Sequence, residues 1–131
     1  MIKKDPQLGE KLLSFIAETM PSVEQLDVLL LLHKHPDRTW DEFSVSDALR
    51  NNPDSGRAIL ESLNRLGLVR RSENVGPSYQ FSPRSEELAS LVELLQKEYA
   101  VKKHRVIDAI YSRPLPGAVD FAEAFRVRKD G

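Results

Sequence analysis

Apolar positions fall at intervals of three and four through the first third of this chain. In "LGEKLLSFIAET", residues 8–19, Leu8, Leu12, Phe15, Ile16 and Thr19 share one face and predict a helix. Met20-Pro21 breaks it. Ser22 then caps a second helix, with Gln25 three residues on as the partner of a capping box. This helix, "VEQLDVLLLLHKH", is apolar nearly all round at Val28–Leu32, so a central place is expected for it. Pro36 stops it. In the next stretch Thr39 with Glu42, or Ser44 with Asp47, forms a capping box. A short helix is expected over 44–51, with Val45, Ala48 and Leu49 inward. Trp40 and Phe43 are expected to anchor the connection before it.

The clearest helix is "NNPDSGRAILESLNRLGL". Asn52 suits the N-cap, Pro53 the first helical position, and Asp54 the positive end of the helix dipole. Ile59, Leu60, Leu63 and Leu66 make its buried face. Gly56 falls on that face, where close approach to another helix is possible without a side chain. Gly67 is the C-cap. The period then changes to two. "LVRRSE" and "SYQFSP" predict a β-hairpin around "NVGP", with Tyr79 and Phe81 pointing the same way.

A long helix is expected over "RSEELASLVELLQKEYAVKKHRVIDAIYSR", which has no internal Gly or Pro. Leu88, Val92, Leu95, Tyr99, Lys102, Val106 and Ala109 form a heptad-like stripe interrupted by a lysine, widened by Leu91, Leu94, Ile107 and Ile110. The stripe is either a dimer seam or packing against its own domain, and dimerisation is the preferred expectation. "VKKHR" with Arg113 reads as a solvated face. After "RPLPG", a last amphipathic piece presents Phe121, Ala122 and Phe125.

The 131 residues are 40% hydrophobic and 30% charged, an ordinary globular balance, with no cysteine. Disulfides, thiolate zinc sites and thiol catalysis are excluded. The run Val28–Leu32 is too short to span a bilayer, and "MIKKDPQLGE" leads into no signal-peptide core. The net charge of −1 is unevenly spread. Residues 53–84 hold five Lys/Arg against three Asp/Glu, while residues 1–52 hold six against nine. The basic part is therefore the helix and hairpin just described. His33 and His35 point apart on a helix, and His104 stands alone. With no nucleophile motif or phosphate loop, neither an enzyme nor any metal or cofactor is expected.

Three helices followed by a hairpin, flanked by further helices, match a winged helix-turn-helix: mainly α with a small β wing. "SGRAILESLNRLGLVRRSENVGPSYQFSP" resembles the recognition helix and wing of MarR-like winged-helix regulators, a resemblance covering residues 22–83. It implies a bacterial, cytoplasmic transcription regulator, dimerised through flanking helices and bound to double-stranded promoter DNA. It divides the chain into an N-terminal helix (1–21), the winged domain (22–83) and a helical extension (84–131). The flanking segments would dimerise through 84–112 and the terminal helices. In such families base contacts come from the first half of the recognition helix, which transfers to Ser55, Arg57 and Ala58. Arg65, Arg70 and Arg71 are the phosphate candidates, although Arg70 and Arg71 alternate across a strand. Asp54 and Glu61 oppose phosphate on the same helix face, and the wing tip "SENVGPS" has no Lys or Arg. Those departures keep open a second reading, a winged-helix module that binds protein. A third is a small-molecule sensor with Tyr99, Tyr111 and Trp40 lining a pocket between the winged core and the long helices.

Overall fold

The computed structural model describes residues 9–73 and 76–112. Leu8, Arg113 and the expected terminal helix with Phe121, Ala122 and Phe125 lie outside them. α1 (Glu10–Thr19) buries Leu12, Phe15, Ile16 and Thr19, the face its spacing predicts. α2 (Val23–Lys34) starts at Ser22, whose hydroxyl accepts from Gln25 N–H. The Gln25 side chain does not complete the box. It is buried, and its Nε2 donates to the Thr19 carbonyl at 2.7 Å and to Ser62 Oγ at 3.4 Å, joining the end of α1 to a later helix.

β1 (Thr39–Trp40) was not anticipated by the alternation, because two residues are too few to show a period. It makes the expected hairpin a three-stranded antiparallel sheet, order β1-β3-β2, with β2 at Val69–Glu73 and β3 at Pro77–Phe81. Trp40 lies opposite Tyr79, and both are buried. Arg38 stacks over the Trp40 ring at 3.8 Å. α3 (Glu42–Leu49) begins two residues before the expected start, and neither expected box forms. Asp41 is the cap: its carboxylate accepts from Phe43 and Ser44 N–H, and Ser44 Oγ accepts from Asp41 N–H. Val45 is buried and Leu49 half-buried, but Ala48 is exposed and Phe43 is 64% exposed instead of anchoring the connection.

α4 (Pro53–Arg65) has the expected signals at both ends. Asn52 Oδ1 accepts from Asp54 N–H, and Pro53 opens the helix. At the other end Leu68 N–H donates to Leu63 O and Gly67 N–H to Asn64 O, the two bonds of a Schellman motif. Gly67 holds φ at +81°, and Leu63 and Leu68 are fully buried. Leu66, assigned to the buried face from its spacing, is half-buried.

The expected single long helix is two. α5 (Glu86–Val101) and α6 (Lys103–Ser112) meet at Lys102, where φ −122° and ψ 56° end the helix. No Gly or Pro marks the break. Both helices pack on α1 and on each other, and the elbow lets each bury its own face: Val92 and Leu95 on α5, Val106 and Ile110 on α6. The heptad-like stripe is thus largely spent inside its own chain, with Leu88, Tyr99 and Ala109 also against the core. Lys102 does not sit in an apolar seam; its Nζ lies 3.4 Å from Glu98. The large apolar residues left exposed on α1, α5 and α6 are Leu13, Leu94, Val101 and Tyr111.

Two glycines of α4 and its cap give opposite expectations. A Cβ on Gly56 would sit 3.7 Å from both Glu42 O and Val45 Cγ1, an ordinary contact. Gly56→Ala should therefore stabilise by about 0.5–1 kcal/mol through helix propensity. A Cβ on Gly67 would lie 2.6 Å from Arg84 Nε, at a left-handed φ. Gly67→Ala should cost at least about 1 kcal/mol. Thermal unfolding of the pair checks both signs.

α5 is also tied to α2 by a polar contact. His33 Nε2 lies 2.9 Å from Glu93 Oε2, and its ring meets Phe81 edge-on at 5.2 Å. The hydrogen bond from His33, then its charge, holds the Glu93 carboxyl below its ordinary value of 4.5, with desolvation opposing and Lys97 assisting. A carboxyl lowered in the fold contributes stability that is complete above its unfolded value and lost as pH falls through the lowered one. The melting temperature of Glu93→Gln should thus fall less steeply below about pH 4.5 than that of the wild type. Parallel acid limbs would show that the contact contributes nothing.

Candidate nucleic-acid interface

α4 lies across α2 and α3, so the side opposite Ile59, Leu60 and Leu63 faces outward. Asp54, Arg57, Ala58, Glu61 and Arg65 are all exposed there, the stripe its spacing predicts, with Ser55 half-buried at the margin. The surface is formed as expected, and Ser55, Asp54 and Arg57 on it are already engaged. Ser55 Oγ donates to Glu24 Oε2 at 2.9 Å, and Asn51 Nδ2 donates to the same oxygen at 3.1 Å. The start of α4 is thereby held to the first turn of α2. Ala58 is exposed and offers a methyl group alone.

Arg57 lies between two carboxylates. Its Nε is 3.3 Å from Glu42 Oε2 and its Nη2 3.5 Å from Asp54 Oδ1. Asp54 is three residues back on the same helix, a spacing visible in sequence. Glu42 comes from α3 and is not signalled by any local pattern. It reaches Arg57 because α3 and α4 approach closely at Gly56.

The strand arginines separate as the pleat requires. Arg71 lies opposite Tyr79, on the sheet face shared with Trp40, and its Nη2 is 2.5 Å from Glu73 Oε2. Arg70 lies opposite Gln80 on the other face, and its Nη2 donates to Gln80 Oε1 at 3.2 Å. Gln80 in turn donates to the Pro36 carbonyl. Burial pushes the Tyr79 phenol up, Arg71 pulls it down, and Glu61, Glu42 and Glu73 each push it further up. One tyrosine thus feels the start of α3, the middle of α4 and the first wing strand. Arg57 and Arg71 belong to this cluster, and its four carboxylates are Glu42, Asp54, Glu61 and Glu73. Sequence reasoning found the arginines but missed Glu42, Glu73 and Tyr79 as their neighbours.

Arg65 stands apart, eight residues further along α4, roughly 12 Å by helical rise. It lines a cleft of about 560 Å³ with Phe15, Thr19, Leu66, Arg84 and Leu88, between α1 and the start of α5. Among the described residues no carboxylate forms an ion pair with it. The three aromatic residues expected around a pocket are not brought together. Trp40 is core, Tyr111 is 72% exposed, and Tyr99 borders a smaller cleft of about 280 Å³ with Leu30, His33 and Gln96. Among the described residues no acidic or histidine group is arranged to hold a metal, and no helix is long and apolar enough to cross a membrane.

No protein-family model and no curated protein matches the chain. Solved structures do. The wild-type apo form of MarR from E. coli superposes with TM-score 0.51 at 14% identity, covering 91% of this chain and 85% of that one. A cysteine-to-serine mutant of the same E. coli protein gives TM-score 0.51 at 13% identity, over 93% and 90%. A point mutant of MepR from S. aureus, bound to an oligodeoxyribonucleotide, gives 0.50 at 13% identity, over 91% and 86%. At such identities the likeness speaks for the fold. With α3 and α4 as the helix-turn-helix, β2 and β3 as the wing, and α1, α5 and α6 around them, the chain has the winged-helix fold of the MarR-type regulators.

Proposed function

We propose that this chain is a sequence-specific DNA-binding transcription regulator that acts as a homodimer, most simply a repressor that occludes promoter DNA. One observation carries the reading: α4 ends a helix-turn-helix, turns through Gly67 into the wing, and presents Arg57 on an exposed polar stripe of groove-compatible shape. The neighbour MepR, which is bound to an oligodeoxyribonucleotide, supports it at the level of the fold. Arg57 would read guanine, Ser55 and Ala58 would border the same base edges, and Arg71 and Arg70 would meet phosphates on either side of the wing strand. Arg65, at the far end of α4, is the weakest of the phosphate candidates.

Carboxylates beside Arg57 and Arg71 make one reading head a weak polyanion ligand. Two heads double the phosphate contacts and make the second binding step intramolecular. Leu13, Leu94, Val101 and Tyr111 supply exposed apolar area for such a dimer on α1, α5 and α6. The heads would then lie about 34–36 Å apart on successive major grooves. A small-molecule effector would fit the cleft beside Arg65, between the winged domain and α1. A cytoplasmic location follows from the same reading.

Duplexes spanning the promoter of the protein's own gene test this directly. Binding should weaken steeply with salt. Arg57→Ala should erase the preference among sequences, a loss of about 1–3 kcal/mol of discrimination per half-site. Arg71→Ala should weaken all duplexes alike and reduce the salt slope by about 1. If the wild type binds no duplex in a salt-dependent way, the reading is wrong. Leu94→Glu with Val101→Glu should shift the sedimentation coefficient toward a monomer and weaken promoter binding in parallel.

A second reading has its own observation. Phe43 is 64% exposed beside Asp41, Asp47 and the carboxylates around Arg57, a combination that suits a basic protein surface better than a phosphate backbone. On that reading Phe43→Ser or Glu61→Lys abolishes capture of a specific protein partner, and Arg57→Ala has no DNA phenotype.

A further inference from the structure

The geometry at Arg57 assigns a role to Glu42. This glutamate is the first residue of α3, and only 17% of its charged side chain is exposed. Its Oε2 lies 3.3 Å from Arg57 Nε. Backbone packing fixes it there. The Cβ position of Gly56 on α4 is 3.7 Å from the Glu42 carbonyl oxygen and 3.9 Å from its Cα. The reciprocal cap between Asp41 and Ser44 fixes the turn from which Glu42 projects. Asp54, the other carboxylate on Arg57, is different. Its side chain is 83% exposed and lies 3.5 Å from Nη2.

A guanidinium carries five N–H donors in one planar fork. Glu42 engages the donor at Nε. The pair of Nη nitrogens remains, shared among the described residues only with the exposed Asp54. Guanine presents O6 and N7 side by side in the major groove, a match for that end-on pair. An arginine already held in place loses less side-chain freedom on binding than an unrestrained one. The same carboxylate repels phosphate. A duplex register that offers Arg57 no guanine therefore meets that repulsion without the two hydrogen bonds that offset it. One residue both orients the reader and penalises the wrong site.

We propose that Glu42 is a positioning residue of the recognition head: it holds Arg57 end-on for a guanine and disfavours duplex that presents none. This rests on the DNA-binding reading above.

Selection of the full-length protein on a pool of random-sequence duplexes gives its base preference. Titration of a guanine-free A·T duplex gives its non-specific affinity. The wild type should enrich a guanine at one position in each half-site, and Arg57→Ala should lose it. Glu42→Ala should cut that guanine preference roughly tenfold. Its affinity for the A·T duplex should rise, because a phosphate-repelling charge is gone. Glu42→Gln keeps an acceptor without the charge. It should recover part of the guanine preference while non-specific affinity stays raised. In an Arg57→Ala background, Glu42→Ala should leave base preference unchanged. The opposite signs separate positioning from a merely structural role. If Glu42→Ala weakens both probes together with a fall in melting temperature, or keeps the full guanine preference, the proposal is overturned and the DNA-binding reading stands. If the wild type itself binds neither probe in a salt-dependent way, the DNA-binding reading fails and takes the proposal with it.

Discussion

A helix without a polar side has to be enclosed, and in this chain that helix is α2. Val28–Leu32 leaves no face for water, and along the whole of α2 only Lys34 is exposed. Enclosure takes α4 and α3 from the helix-turn-helix, β3 from the wing and α5 from the extension. Hydrophobic burial at this scale is worth about 1.5–3 kcal/mol for each fully covered leucine or valine. The relative placement of the helix-turn-helix and the wing is thus a by-product of covering one buried helix. The wing strand β3 and α4 share its sides.

Where a structural signal lay within a few residues, the sequence carried it. Asn52, Pro53 and Gly67 mark both ends of α4, and the spacing of its leucines separates the buried face from the exposed stripe. The hairpin follows from the switch to a period of two at Leu68. Signals that depend on distant residues were not legible. β1 exists because Trp40 finds Tyr79 across the sheet. Asp41 takes the cap over Thr39 and Ser44 in a reciprocal pair, with Ser44 serving as its partner three residues on. The break at Lys102 comes from packing on α1, with no helix breaker in the local sequence. The pairing of Glu42 with Arg57 spans two helices. The position of the candidate site was therefore readable, and its electrostatic state was not.

That state sets the character of the surface. Arg57 and Arg71 are held beside carboxylates that range from half-buried at Glu42 to largely exposed at Asp54. Exposed pairs of this kind contribute little to stability, and their charges are screened by salt. Their larger effect is on what may approach. A surface of balanced charge gains little from generic phosphate attraction, so any tight binding must come from well-matched local contacts and from valency. This differs from a strongly basic nucleic-acid domain, whose affinity is mostly independent of sequence.

Two adjacent residues of α2 grip α4 at separate points. Glu24 accepts from Ser55 and Asn51 near its start, and Gln25 donates to Ser62 in its last turn. The two grips are seven residues apart, roughly 10 Å along the axis. A single attachment would let a helix roll about its own axis; two do not. The angular setting of the outward stripe is consequently keyed to α2. A tilt of α2 would therefore carry the stripe that holds Arg57 with it.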